Sequence, residues 1–293
     1  DVCSSDLVAC LILGRNRQRC RRLRPRMRQA TSALPAMALL LAWGVGLWVE
    51  PYWQRSFSIG LWRVADPAMT LAEFRAQVRS VDLRFHADGP GATVDVVSRK
   101  IGDEASYSLK VNGKTDASSR VDMSTQLLLG HIPMLLRPAT TNALVVGAGS
   151  GATVGALLQH PGLSGVDVVE ISQEVIAASK RHFAPFNNGS LTNARTHIYI
   201  EDAKTFLKSG DSQYGLILAE PSNPWMAGVA GVFSREFYED CKSRLKPGGL
   251  IVQWLQSYET DEATFDMVVA TFGGVFPYLS LWQIGRASCR ERV

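Results

Sequence analysis

"NALVVGAGSGATVGALL", residues 142–158, is the stretch that decides the fold. An apolar run ends in a turn holding Gly147, Gly149 and Gly151, and small apolar residues of helical length follow. Apolar strand, glycine turn and helix open a nucleotide-binding α/β unit, because glycine permits the tight turn and lets a ligand approach the backbone. "VVGAGSGA" (145–152) is a weak signal alone, since it also fits the G-x-G-x-x-A of dinucleotide binders with Ala152 in the last place.

The pattern repeats on the C-terminal side. "GVDVVEI" (165–171), "ARTHIYIED" (194–202), "YGLILAE" (214–220) and "LIVQWLQ" (250–256) read as strands. "SQEVIAASKRHF" (172–183), "AKTFLKSG" (203–210) and "SREFYEDCKSRLKPGG" (234–249) read as helices, the last closed by Pro-Gly-Gly. "RVDMSTQLLLGHIPMLLRP" (120–138) is a preceding helix ended by Pro138. Apolar strands between helices predict a parallel sheet covered on both faces.

Three carboxylates end successive strands: Glu170, Asp202 and Glu220. Side chains there converge on the crevice at the carboxyl edge of a parallel sheet. Glu170 lies about twenty residues past the glycine turn, where an acid accepts the ribose hydroxyls. The structural alternatives are an N-terminal cap contact at 172 for Glu170 and an N-cap at 203 for Asp202. Glu220 opens "EPSNPW" (220–225), whose two prolines restrict the loop and suit it to holding a base.

On the N-terminal side, "TLAEFRAQVRSV" (70–81) predicts a short amphipathic helix. "VDLRFHA", "ATVDVVSRK" and "ASYSLKVNG" predict three strands with a tight turn at "DGPG" (88–91). Before them, "ATSALPAMALLLAWGVGLWV" (30–49) carries no charge and follows an arginine-rich run at 14–29. At 1.5 Å per residue this predicts a transmembrane helix, with the arginines on a cytoplasmic loop. A nucleic-acid reading of the arginines fails for want of interleaved aromatics. The same run supplies much of the formal net charge of +4.

The opening "DVCSSDL" and closing "IGRASCRERV" resemble translated sequencing adapters, to be set aside from fold reasoning. With Cys3 and Cys289 removed, the spacing of Cys10, Cys20 and Cys241 suggests neither zinc nor a disulfide framework, and no metal is expected. The expected organisation is an adapter-like end (1–7), a membrane segment (8–54), a small β-rich domain (55–120), a Rossmann-like domain (121–283) and a second adapter-like end (284–293). The sheet is expected to lack its last strands.

"LKVNGKTDAS", "DMSTQLLLGHIP", "VVGAGSG", "VVEIS", "EDA", "EPSNPWMAGVAGVFSREFY" and "LKPGGLIVQWLQ" together resemble the spermidine synthase (polyamine aminopropyltransferase) family, most closely its bacterial membrane-fused members. The resemblance runs from about 84 to 283. It implies a methyltransferase-type α/β fold and aminopropyl transfer from decarboxylated S-adenosylmethionine, a co-substrate, to a small amine. It implies Glu170 at the ribose, Asp202 on the adenine side and the glycine turn against the nucleoside. Gln126 and His131 match cleft positions, Glu220 the catalytic aspartate as general base, and Asn223 a second loop aspartate. Asp116 stands where the family carries glutamine, and Trp225 would cover the site.

Asn223 is neutral, which leaves the far charge of a diamine acceptor without a partner. Two other readings fit the same fold: an S-adenosylmethionine-dependent methyltransferase, and a non-catalytic nucleoside sensor attached to a membrane segment. A dinucleotide oxidoreductase would leave Glu220 and its proline loop without a role. Expected partners are an amine, the membrane through 30–49 and no nucleic acid, with room for a homodimer. The expected location is the bacterial inner membrane, on an undetermined side.

Overall fold

The computed structural model describes residues 37–41, 43, 52–60, 69–226, 228–256 and 260–282. Two compact units divide the chain, 1–52 and 53–293. Both adapter-like ends and the arginine run lie outside the described residues. Of the 30–49 stretch, 37–41 and 43 are helical.

The expected membrane span and inner-membrane location are corrected: among the described residues, no helix is long and apolar enough to cross a membrane. The expectation rested on the run's lack of charge; 30–36, 42 and 44–49 lie outside the described residues.

Helices α1 (Tyr52–Ser58) and α2 (Leu71–Ser80) precede the first strand. Thr70 and Glu73 cap α2 reciprocally, Thr70 Oγ1 accepting from Glu73 N and Glu73 Oε2 from Thr70 N. An antiparallel meander follows: β1 (Asp82–Asp88), β2 (Thr93–Ile101), β3 (Glu104–Val111) and β4 (Lys114–Ser118). The fourth strand was not expected. Asn112 and Gly113, both at positive φ, make the two-residue hairpin turn that returns the chain beside β3. "KTDAS" has no apolar alternation, so its strand character comes from that turn rather than from its own pattern.

Helix α3 (Met123–Leu136) accommodates Pro133 and ends just before Pro138. Then come β5 (Asn142–Val146), α4 (Ala152–Leu158), β6 (Gly165–Glu170), α5 (Gln173–His182), β7 (Thr196–Ile200), α6 (Ala203–Ser209), β8 (Tyr214–Ala219), α7 (Arg235–Ser243), β9 (Leu245–Gln253) and α8 (Glu262–Gly273). The five strands are parallel in the order β7-β6-β5-β8-β9. Strand β9 begins at Leu245, so the Lys-Pro-Gly-Gly turn expected to close the preceding helix lies within the strand. A register shift between Tyr214 and Leu216 accommodates it. Helix α8, also unexpected, is capped by Asp261 and buries Phe272.

Alternation along the strands builds two cores. Ala143, Val145, Leu216 and Leu218 face α3 and α4 through Leu129, Val154 and Leu157. Leu144, Val146, Ile217 and Ala219 face α7 and α8 through Phe237, Tyr238 and Phe272. A third core joins the sheets: Val94, Val96, Leu109 and Ala117 pack on Val175 and Ala178 of α5 and on Phe183, its C-cap. Helix α5 therefore fixes the small sheet beside the glycine turn. Strand order reverses at β5, so the turn after it opens at the switch point, where α/β sheets hold ligands.

Candidate active site

The glycine turn is built at positive φ: +89° at Gly147, +48° at Gly149 and +79° at Gly151. Three successive carbonyls of the turn are each claimed by a side chain. Ser179 Oγ donates to Gly149 O (2.6 Å), Asn187 Nδ2 to Ser150 O (2.8 Å) and Ser190 Oγ to Gly151 O (2.8 Å). A Cβ on Gly151 would stand 2.9 Å from Asn187 Nδ2 and from Leu191 Cγ, so only glycine fits there. Asn187 and Ser190 were not anticipated. Their signal was "FNNGS" (186–190), an Asn-Gly turn in a connection that otherwise reads as loop.

Glu170 ends β6 with 8% of its surface exposed. Ala148 N donates to its Oε2 and Ser172 N to its Oε1, both at 2.9 Å. One oxygen thus meets the glycine turn, and the other caps the following helix jointly with Ser172. Burial pushes the Glu170 carboxyl above the usual range, the backbone donors oppose this, and Asp116 adds to the rise. Each carboxylate oxygen has a second lone pair, which leaves capacity for ligand hydroxyls.

Asp202 is exposed and N-caps α6, accepting from Thr205 N at 3.0 Å. It sits at the tip of β7, two strands from β5, at the rim of the crevice. Gln126 is buried, and its amide donates to Ser118 O and Asp122 Oδ1 (3.0 Å each) and accepts from Ser150 Oγ. Its hydrogen bonds tie β4 to the glycine turn. His131 is turned to His160 (Nδ1···Nε2 3.0 Å), past the far end of α4 from that turn. The structure therefore does not bring His131 together with the strand-tip acids.

Glu220 follows β8, and its N–H is held by Val146 O at 2.9 Å. Part of its surface remains accessible, yet protein crowds the carboxyl on most sides. Burial pushes it up to about 8; Thr153's hydroxyl opposes the shift and Asp122's charge adds to it. A carboxyl titrating there is suited to proton transfer near neutral pH. Asn223 is fully buried, and neither its Nδ2 nor its Oδ1 has a hydrogen-bond partner. Gln256 donates to Pro221 O at 3.3 Å, while its Oε1 and that of Gln253 are also unpartnered. Buried polar groups without protein partners are rare and are the kind that a water or a ligand satisfies. Trp225 is 39% exposed.

Asp116 accepts from Ser222 Oγ at 2.8 Å and from the ammonium of Lys114. Lys114 is a third residue that sequence reading missed, because a lysine in a short polar strand looks solvated. A cavity of about 270 Å³ lies at the opposite edge of the sheet, lined by Asn142, Asp167, His197 and Tyr214 among others, and touches none of the strand-tip acids. Among the described residues no cluster of metal-ligating side chains occurs.

A parallel five-stranded sheet with a glycine turn at its switch point and acids at the neighbouring tips is the architecture of a Rossmann-like α/β domain. Residues 123–284 match the spermine/spermidine synthase domain, and the chain belongs to that family. It is 35% identical over 130 residues to a polyamine aminopropyltransferase of Alkaliphilus oremlandii, covering 44% of this chain and 45% of that one. With the enzyme of the same name from Clostridium beijerinckii it shares 29% over 158 residues, 53% and 55% of the two chains. The chain thus spans about half the length of these relatives. Among solved structures, spermidine synthase in complex with the transition state analogue AdoDATO superposes with a TM-score of 0.62 at 20% identity, over 67% of this chain and 66% of that one. Spermidine synthase from Thermotoga maritima gives 0.60 at 21%, over 67% and 65%. These two likenesses establish the fold.

Proposed function

We propose that the domain transfers an aminopropyl group from decarboxylated S-adenosylmethionine to a small amine. The observation that carries the reading is the meeting of the glycine turn, Glu170 and the Glu220 loop at one switch point, in a chain whose relatives are named polyamine aminopropyltransferases.

In this reading Glu170 takes the ribose hydroxyls on its remaining lone pairs, and the glycine turn lies against the nucleoside. The acceptor nitrogen attacks the methylene carbon next to sulfur. A C–N bond forms, the C–S bond breaks, and its electron pair stays on sulfur as a neutral thioether. The proton released from nitrogen passes to Glu220. In the free protein Glu220 holds its proton at pH 7, since its carboxyl is pushed up to about 8. A sulfonium bound nearby favours the carboxylate and readies the base. Asp202 frames the adenine side from the rim, Asp116 lies between Glu170 and the loop, and Trp225 covers the acceptor.

The acceptor end is the finer part of the proposal. Asn223 is a neutral amide with two unsatisfied atoms, and Gln253 and Gln256 each leave a carbonyl oxygen open. This set hydrogen-bonds an uncharged polar tail better than it neutralises a second ammonium. Incubating the chain with decarboxylated S-adenosylmethionine and a panel of monoamines and diamines tests both parts, with aminopropylated amine and released thioether as readouts. Consumption of ordinary S-adenosylmethionine with methylation of the amine would support the methyltransferase reading instead.

A further inference from the structure

Lys114 is 1% exposed, and a lysine is almost never so buried unless it is paired. Its ammonium donates to Asp116 Oδ1 and, at 3.1 Å, to Ser222 Oγ. The Ser222 hydroxyl in turn donates to the same Asp116 oxygen at 2.8 Å, closing a ring of three groups. Lys114 and Asp116 are two apart on β4 and share a face; Ser222 lies two residues beyond Glu220. The same strand reaches the glycine turn through its other end. Asp122 accepts from Ser118 N at 2.9 Å and from Gln126 Nε2 at 3.0 Å, and Gln126 accepts from Ser150. One short strand therefore touches both the nucleoside turn and the segment carrying Glu220.

We propose that Lys114 is a positioning residue: its buried ammonium fastens the Glu220 loop to β4 and so sets the place of the base relative to the bound nucleoside. What the loop does rests on the aminopropyl-transfer reading; the fastening itself does not. Strand β4 is held by the Asn112–Gly113 hairpin and by packing of Ala117 in the third core, so it is a fixed rail. Among the described residues the loop's backbone bonds are Glu220 N to Val146 O, Met226 N to Asn223 O and Val229 N to Met226 O, with the Gln256 side chain on Pro221 O. Lys114 and Ser222 add a contact across 108 residues of sequence.

The test compares the wild-type chain with Lys114→Met, Lys114→Arg, Ser222→Ala and the Met/Ala double variant. Backbone amide exchange at 222–226 reads the fastening directly. Lys114→Met is expected to speed exchange there by about tenfold or more, as for a locally released segment, while β5 and β8 stay protected. In turnover it lowers kcat by roughly 10²-fold, the cost of about 1 Å of misplacement, with nucleoside affinity held within threefold. Ser222→Ala gives the same pattern more weakly, and the double variant is no worse than Lys114→Met because both cut one tie. Lys114→Arg restores part of the loss.

Unchanged exchange at 222–226 in both single variants overturns the proposal, as do additive effects in the double variant or nucleoside affinity falling as far as kcat. If Lys114→Met does not fold, Ser222→Ala decides alone by the same exchange measurement. Absence of transfer to any amine by the wild-type chain would instead overturn the functional reading, and the exchange result would still decide the fastening.

Discussion

Gly147 and Glu220 touch through their backbones: a Cβ placed on Gly147 would stand 2.8 Å from the carbonyl oxygen of Glu220. The turn proposed to lie against the nucleoside and the residue proposed to take the proton are thus packed on each other. Gly147 also sits at φ +89°, where a side chain is strained whatever the space. Gly147→Ala is therefore expected to cost roughly 1–3 kcal/mol and to displace the Glu220 segment. Thermal unfolding reads the first effect as a fall in Tm. Loss of kcat beyond what a distant substitution of equal cost produces reads the second.

Glu220 gives a pH signature in two directions. If its carboxylate is the base, kcat/KM rises as the free protein passes through about pH 8, and Glu220→Gln removes that inflection with a loss of about 10²–10⁴-fold. Stability moves the other way. The folded carboxyl titrates about 8, and the unfolded one at its ordinary 4.5. Between those values the unfolded chain has lost a proton that the folded chain keeps, so this group makes stability fall as pH rises. Glu220→Gln abolishes the penalty. Its Tm relative to wild type should climb steadily from pH 4.5 to 8, which unfolding scans across that window measure.

Glu170 and Asp202 should separate cleanly as nucleoside contacts. Glu170 is buried against the turn, and replacing it by Gln removes charge-assisted hydrogen bonds worth roughly 1.5–3 kcal/mol each. Calorimetry with the thioether product, 5′-methylthioadenosine, should show at least about tenfold weaker binding for Glu170→Gln, using the same scale of one decade per 1.4 kcal/mol. Asp202→Asn keeps an N-cap acceptor on an exposed side chain, so its effect should stay within about threefold.

Most of the large sheet could be read from sequence because buried parallel strands are apolar throughout and alternate with helices. "ALVV", "VDVV" and "GLIL" admit little else. The strand-tip acids followed from the same pattern. What escaped was set by partners far off in the chain. Strand β4 exists because Asn112 and Gly113 turn it back onto β3, not because "KTDAS" prefers to be a strand. Lys114 is buried because Asp116 and Ser222 pair it, and no periodicity announces that. His131 shares α3 with Gln126, but five residues of helical rotation send it toward His160. The 30–49 run was read as a membrane span from its lack of charge, and most of it lies outside the described residues.

Asn223 supplies a test of acceptor class. Burying a carboxylate there without a partner is costly, so Asn223→Asp should lose about 1–3 kcal/mol in buffer. A diamine supplies the missing cation and should restore Tm in this variant while leaving wild type nearly unmoved. The same substitution should shift turnover preference from a monoamine with a polar tail toward the diamine. Equal responses of the two proteins to both amines would remove Asn223 from the acceptor site.

The most direct measurement is mass spectrometry of an amine panel after incubation of the chain with decarboxylated S-adenosylmethionine. Aminopropylated amine formed in step with 5′-methylthioadenosine, and abolished in Glu220→Gln, is the predicted result. Nucleoside bound with no adduct on any amine, or adducts formed equally well by Glu220→Gln, would contradict it.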